Sequence, residues 1–232
     1  MKFRSFLSIL ILISAVSCSS KPVKIPEGTW NYDLLVNGAQ AGRAVFSNTS
    51  SDKYFITKSE MYLNMGSIEN KSVQIVTETK DFKPVKLEVF NTVTNESGKG
   101  AQEINTTAVF KGNEVTLNTW DLKDKKIIIQ KPFILDGNFF FNELLKINFK
   151  TGIIIKAHIY EPSVEIEKPI LVLVESKGFE QINIRNKSMN LLHIKQRIEK
   201  LKSVDMYINE EGVIEKIVLK YLNSIFELER VE

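Results

Sequence analysis

From Gly28 onward, apolar and polar residues alternate with a period of two, the pattern of strands that bury one face. Trp30, Tyr32, Leu34 and Val36 alternate with Asn31 and Asp33 and lead into Asn37-Gly38. Asn-Gly suits a two-residue type I′ turn, because both central residues of that turn need positive φ. The return strand is expected over residues 40–47, followed by a loop at 48–52 and strands near 54–63 and 68–79. Asp81-Phe82-Lys83-Pro84 reads as a turn, after which Val85, Leu87 and Val89 start the next strand. Residues 101–110 and 114–120 form a hairpin through Lys111-Gly112-Asn113, with a short strand at 127–129 behind it. Further strands are expected at 153–160, 170–174, 179–184, 189–198, 204–208, 213–220 and 225–231.

Residues 136–150 break the alternation. Phe139, Phe140, Leu144, Leu145 and Ile147 fall on or near one face of a helix. Asp136 is placed to cap its start and Gly152 to stop its end. Successive short-turn hairpins imply an antiparallel meander of twelve to fifteen strands. Strongly twisted open sheets rarely exceed ~10 strands, so one this large has to curl. The expected fold is mostly β: a large curved antiparallel sheet, half-barrel or open barrel, with one short helix in or over its concave face.

The first residues follow other rules. Met1-Lys2-Phe3-Arg4 is basic, residues 6–16 are apolar apart from Ser8 and Ser14, and Ala15-Val16-Ser17-Cys18 follows. A basic start, a short apolar run and small residues at a cleavage point make a secretory signal. The run is too short for a membrane span, which takes about 20 apolar residues. The segment resembles a lipoprotein lipobox, with Ala15 standing where Leu is commonest. That resemblance implies acylation of Cys18 and cleavage in front of it. Cys18 is the single cysteine of the chain, and in an oxidising compartment acylation would cap an otherwise unpaired thiol. The expected organisation is a signal peptide at 1–17, a lipidated tether at 18–27 broken by Pro22 and Pro26, and one β-rich domain at 28–232. The expected location is the bacterial cell envelope. Ser19 after the cysteine, in place of Asp, favours the outer membrane over the inner.

Composition narrows the partners. The formal net charge is +3, with 31 basic and 28 acidic residues interspersed along the chain. No basic stripe suggests nucleic-acid binding. With 43% apolar and 25% charged residues, the chain has the make-up of an ordinary globular protein.

Three features stand in order: Gly28-x-Trp30-x-Tyr32 with Asn37-Gly38 and Gly42; Asp81-Phe82-Lys83-Pro84; and the closing Tyr207-Ile208-Asn209-Glu210-Glu211-Gly212-Val213 hairpin. Together they resemble an exported bacterial β-rich family of unknown function. That family is similar in shape to the periplasmic lipoprotein carriers of the LolA/LolB type, whose half-barrel holds a lipid under a helical lid. The resemblance spans most of residues 28–231. It implies a shape and carries over no individual binding residue.

Candidate chemistry is sparse. The two histidines, His158 and His193, fall on separate strands without a cysteine, a weak zinc set more in keeping with surface positions. No Gly-x-Ser-x-Gly elbow, Walker loop or His-Glu-x-x-His occurs. Paired acids such as Glu210-Glu211 and Glu227/Glu229 fit the task of keeping strand edges soluble. No catalytic, cofactor or metal residue is expected, and the chain is read as no enzyme. Phe139-Phe140-Phe141 is the distinctive feature: three consecutive aromatics on a helix cannot all face one way. With Leu144 they either complete the core or wall an apolar ligand cavity. The expected function is a noncatalytic membrane-anchored lipoprotein whose partners are the membrane, through its lipid, and an apolar ligand or lipid. The alternative is a structural or protein-interaction module of the envelope.

Overall fold

The computed structural model describes residues 24–66, 68–95, 101–199, 203–221 and 223–231. The expected signal peptide, Cys18 and the first part of the tether lie outside these residues.

The elements are β1 (Gly28–Val36), β2 (Ala39–Ser50), β3 (Tyr54–Met65), β4 (Ile68–Thr79), β5 (Pro84–Asn95), β6 (Gln102–Lys111), β7 (Glu114–Asn118) and β8 (Lys125–Ile128). Then follow α1 (Asn138–Lys146), β9 (Ile154–Ile159), β10 (Ile170–Ile184), β11 (Lys187–Ile198), β12 (Ser203–Ile208), β13 (Ile214–Tyr221) and β14 (Ser224–Val231). All fourteen strands form one antiparallel sheet in the order β8-β7-β6-β5-β4-β3-β2-β1-β14-β13-β12-β11-β10-β9. Twelve of the thirteen adjacencies join consecutive strands: β1 to β8 run outward one way and β9 to β14 return to the middle. There β14 pairs β1, from Asn31 opposite Val231 to Val36 opposite Phe226. The last strand is therefore central, with β13 on its other side, and Leu228 is buried as the alternation predicts.

Local chemistry sets the turns. Asn37 and Gly38 have φ of 52° and 80°, as a type I′ hairpin demands. The Asn37 side chain also accepts the Ile225 N–H at 2.9 Å, tying the first hairpin to the last strand. Gly42 is a packing glycine. A Cβ there would sit 1.9 Å from the Tyr62 carbonyl oxygen on β3, so that backbone leaves room for no side chain.

Four details of the sequence reading change. β2 continues through the expected loop to Ser50, because β3 offers it a full ladder from Gly42 opposite Leu63 to Ser50 opposite Phe55. The expected strands 170–174 and 179–184 are one strand with an irregularity between Ser176 and Gly178, where Gly178 takes φ of 92°. The N-cap of α1 is Gly137 and not Asp136; the Asp136 carboxylate accepts the Asn138 N–H at 2.7 Å and so still serves the first turn. The helix ends at Lys146, and the residue that stops it is Asn148 and not Gly152. Asn148 has φ of 50°, its N–H bonds the Leu145 carbonyl, and the Phe149 N–H bonds the Leu144 carbonyl, a Schellman ending that Asn tolerates.

One face of the curled sheet carries the core. One cluster, including Leu87, Ala108, Val115 and Leu117, lies under β4 to β8. A second, with Val172, Val174, Leu192 and Ile194, holds Phe140 and Leu144 of α1. A third joins Tyr32, Leu34, Ala44 and Leu228 at the centre. Fully burying each such side chain is worth roughly 1.5–3 kcal/mol. The segment between β8 and α1 crosses from one sheet edge to the other. Ile134 donates its N–H to the His158 carbonyl at 2.9 Å and accepts the Tyr160 N–H at 3.0 Å. This stitch holds α1 over the concave face.

Candidate functional site

A cavity of about 400 Å³ lies between α1 and the concave face, within the ~300–1,000 Å³ range of small-molecule sites. The sheet pleat supplies its wall. Trp30 on β1 faces Phe46 on β2, which faces Ser59 on β3, which faces Gln74 on β4. From the opposite half come Val174, Ile194, Met206 and Ile208, and from the helix Phe140, Phe141 and Leu144. Phe141 is seated on the β12–β13 turn, where a Cβ added to Gly212 would meet its ring at 2.6 Å. Small backbone there lets the helix approach.

The sequence-predicted contacts divide. Phe140, Phe141 and Leu144 line the cavity, and Phe139 does not. Its ring stands edge-on to Phe82, 6.0 Å away, and Phe82 stacks on Phe55 at 5.6 Å. At 100° per residue, three successive side chains diverge, and the first of the three packs outside the cavity.

Part of the lining is polar. Asn48, only 6% exposed, donates to the Pro26 carbonyl at 2.9 Å, and Asn138 donates to the Thr57 hydroxyl at 3.0 Å. The two amides approach each other at 3.4 Å. Beside them lies a pair of acids. Glu78 on β4 is 1% exposed; its Oε1 accepts the Leu135 N–H at 2.7 Å, and its Oε2 has no hydrogen-bond partner. Burial first, and the neighbouring Asp136 carboxylate second, push its pKa from 4.5 up to about 8. Asp136 lines the cavity. Its pKa is raised by burial, against the pull of the Thr57 hydroxyl and the N–H groups of Asn138 and Gly137. The residue retains partial exposure, yet its Oδ2 is sealed from solvent and unpartnered.

Sequence reasoning missed Glu78 and Asn48. On β4 both faces carry apolar residues, Val73 and Ile75 on one and Val76 on the other, so alternation alone does not say which way Glu78 points. Asn48 was hidden by its turn-like neighbours.

The histidines lie elsewhere. His158 alternates with Ala157 and Ile159, which pack on the core. His193 sits between Leu192 and Ile194, both buried against α1, and so faces outward. Its Nδ1 meets Glu180 and its Nε2 meets Asp205, each at 2.8 Å, and its ring stacks on Tyr207 at 4.8 Å. The cluster ties β10, β11 and β12 together across the outer face. Among the described residues no group of three or more His, Cys, Asp or Glu side chains could hold a metal ion.

Comparison with known proteins places the fold. No family model matches the chain, and no curated protein does. Among solved structures it is similar to a β-barrel-like protein of the domain of unknown function DUF1849 from Brucella abortus. The TM-score is 0.65 at 11% identity, over 88% of this chain and 95% of the other. The class so defined is a β-barrel-like fold, here an open fourteen-stranded sheet with a helix on its concave side. At this identity the likeness carries the fold alone, and fold does not fix function.

Proposed function

We propose that this chain is a noncatalytic lipoprotein of the bacterial cell envelope, anchored through lipid on Cys18, that holds an apolar ligand between α1 and its curled sheet. The observation that carries the ligand is the cavity itself. Its walls are largely aliphatic and aromatic, and Phe140, Phe141 and Leu144 line it from the helix side. A helix serving only as a plug would leave no such volume, since protein interiors pack at crystal-like density. The lipobox-like Ala15-Val16-Ser17-Cys18 supports the anchor. Several acyl chains on one residue hold a membrane stably, at about 0.8 kcal/mol per buried CH₂.

Native mass spectrometry of the full chain, purified from its own membrane, tests the ligand: a bound apolar molecule of defined mass is expected. A protein that carries none, and takes up no apolar dye, would leave a structural or interaction module as the better reading. Cys18→Ser tests the anchor. The variant should leave the detergent phase or accumulate as an uncleaved precursor; unchanged partitioning and unchanged size would remove the lipid assignment.

A further inference from the structure

The lining of the apolar cavity includes polar groups whose hydrogen-bonding capacity the fold does not use up. Asn48, Thr57 and Asn138 form a hydrogen-bonded cluster at its wall, and Asp136 stands next to them. A cavity built for a pure hydrocarbon gains nothing from an amide pair and a carboxylate, because burying polar groups without full partnership is unfavourable. Asn48 and Asn138 satisfy each other in part. Asp136 is left with Oδ2 enclosed and unpartnered, beside a cavity that it lines. A carboxylate accepts and does not donate, so Oδ2 of Asp136 is open to one further hydrogen-bond donor.

Resting on the apolar-ligand reading above, we propose that the ligand is a single-chain amphiphile whose head carries an N–H or O–H donor, an ammonium or a hydroxyl. The head sits at Asp136, Asn48 and Asn138, and the tail runs beneath Phe140 and Leu144 toward Ile194. Asp136 accepts the head's donor, and the Asn48 and Asn138 amides meet its remaining polar atoms. A head that is itself a carboxylate is disfavoured, since it would bring a third acid beside Asp136 and Glu78. The neighbouring Glu78 has an unpartnered Oε2 of its own. A single proton shared within the acid pair is the competing account of the empty Oδ2, and it predicts no head-group preference.

The experiment is displacement of an apolar fluorescent dye from the full chain in phospholipid nanodiscs, with empty nanodiscs subtracted. The probes share a twelve-carbon chain: 1-dodecanol, dodecylamine, dodecanoate and 1-methoxydodecane, which has no donor. The alcohol or the amine should bind about ten-fold tighter than the ether and the carboxylate, a gap of about 1.4 kcal/mol. Which of the two leads distinguishes a hydroxyl from an ammonium. In Asp136→Asn the gap should shrink to about two-fold while the ether binds as before. Glu78→Gln, which leaves Asp136 in place, should keep the wild-type ranking. If all four probes bind alike, the donor head is wrong and the apolar cavity stands. If none displaces the dye, or no dye binds, the ligand reading itself fails. The wild-type ranking decides even should Asp136→Asn not fold.

Discussion

Glu78→Gln is a direct test of the buried acid pair, because glutamine copies the shape of the protonated acid. Its carbonyl oxygen can accept the Leu135 N–H as Oε1 does at 2.7 Å, and its amide supplies a donor where the carboxyl proton would be. The folded state raises the Glu78 pKa from 4.5 to about 8, through burial and then the Asp136 carboxylate. A carboxyl whose folded pKa is raised favours folding fully below its unfolded value and loses that contribution as pH rises through the folded one. The window is thus from about pH 4.5 to about pH 8. At about 1.36 kcal/mol per pH unit, the loss over that window is roughly 5 kcal/mol, of which roughly 4 kcal/mol falls above pH 5, shared in part with Asp136. Urea unfolding of both proteins, followed by tryptophan fluorescence at pH 5 and pH 9, isolates the acid pair, since titrating groups outside it cancel in the difference. The variant should match the wild type within about 1 kcal/mol at pH 5 and exceed it by roughly 4 kcal/mol at pH 9. For a domain of this size that corresponds to about 8–16 °C in Tm. Parallel pH profiles, or a variant less stable at pH 9, would refute the claim that Glu78 is buried beside Asp136 without a compensating cation.

Three further outcomes are expected. Gly42→Ala places a methyl 1.9 Å from the Tyr62 carbonyl oxygen, so it should destabilise by more than about 3 kcal/mol or prevent folding; a parental melt by circular dichroism would contradict the close approach of β2 and β3. Deleting residues 224–232 removes β14 from between β1 and β13 and should abolish cooperative unfolding, whereas a peripheral strand would leave the melt unchanged. Among the aromatics, Phe140→Ala, at 4% exposure, should cost about 3–5 kcal/mol. Phe141→Ala should weaken apolar-dye retention several-fold with a smaller loss of stability, and Phe139→Ala should leave retention intact; a Phe139 effect as large as that of Phe141 would overturn the placement of their rings.

The sequence by itself determined most of the framework, because its signals act over a few residues. Period-two alternation located the strands, and Asn37-Gly38 located a turn whose backbone few other pairs can adopt. The length of the meander required a curl, and the break at 136–150 located the helix. Local signals failed where two segments supplied what one seemed to lack. Residues 48–50 look like a loop until β3 offers them a ladder, and residues 170–184 look like two strands until a bulge joins them. Only the tertiary structure decided that β14 returns to pair β1, since no local pattern encodes a partner almost two hundred residues away. It alone decided that Phe140 and Phe141 line the cavity and Phe139 does not, because that follows from how the helix is seated on the sheet. The acid pair belongs to the same kind. Glu78 and Asp136 lie far apart in sequence, each an ordinary residue of strand or turn, and their perturbed chemistry arises because the curled sheet closes Glu78 and the Oδ2 atom of Asp136 away from water.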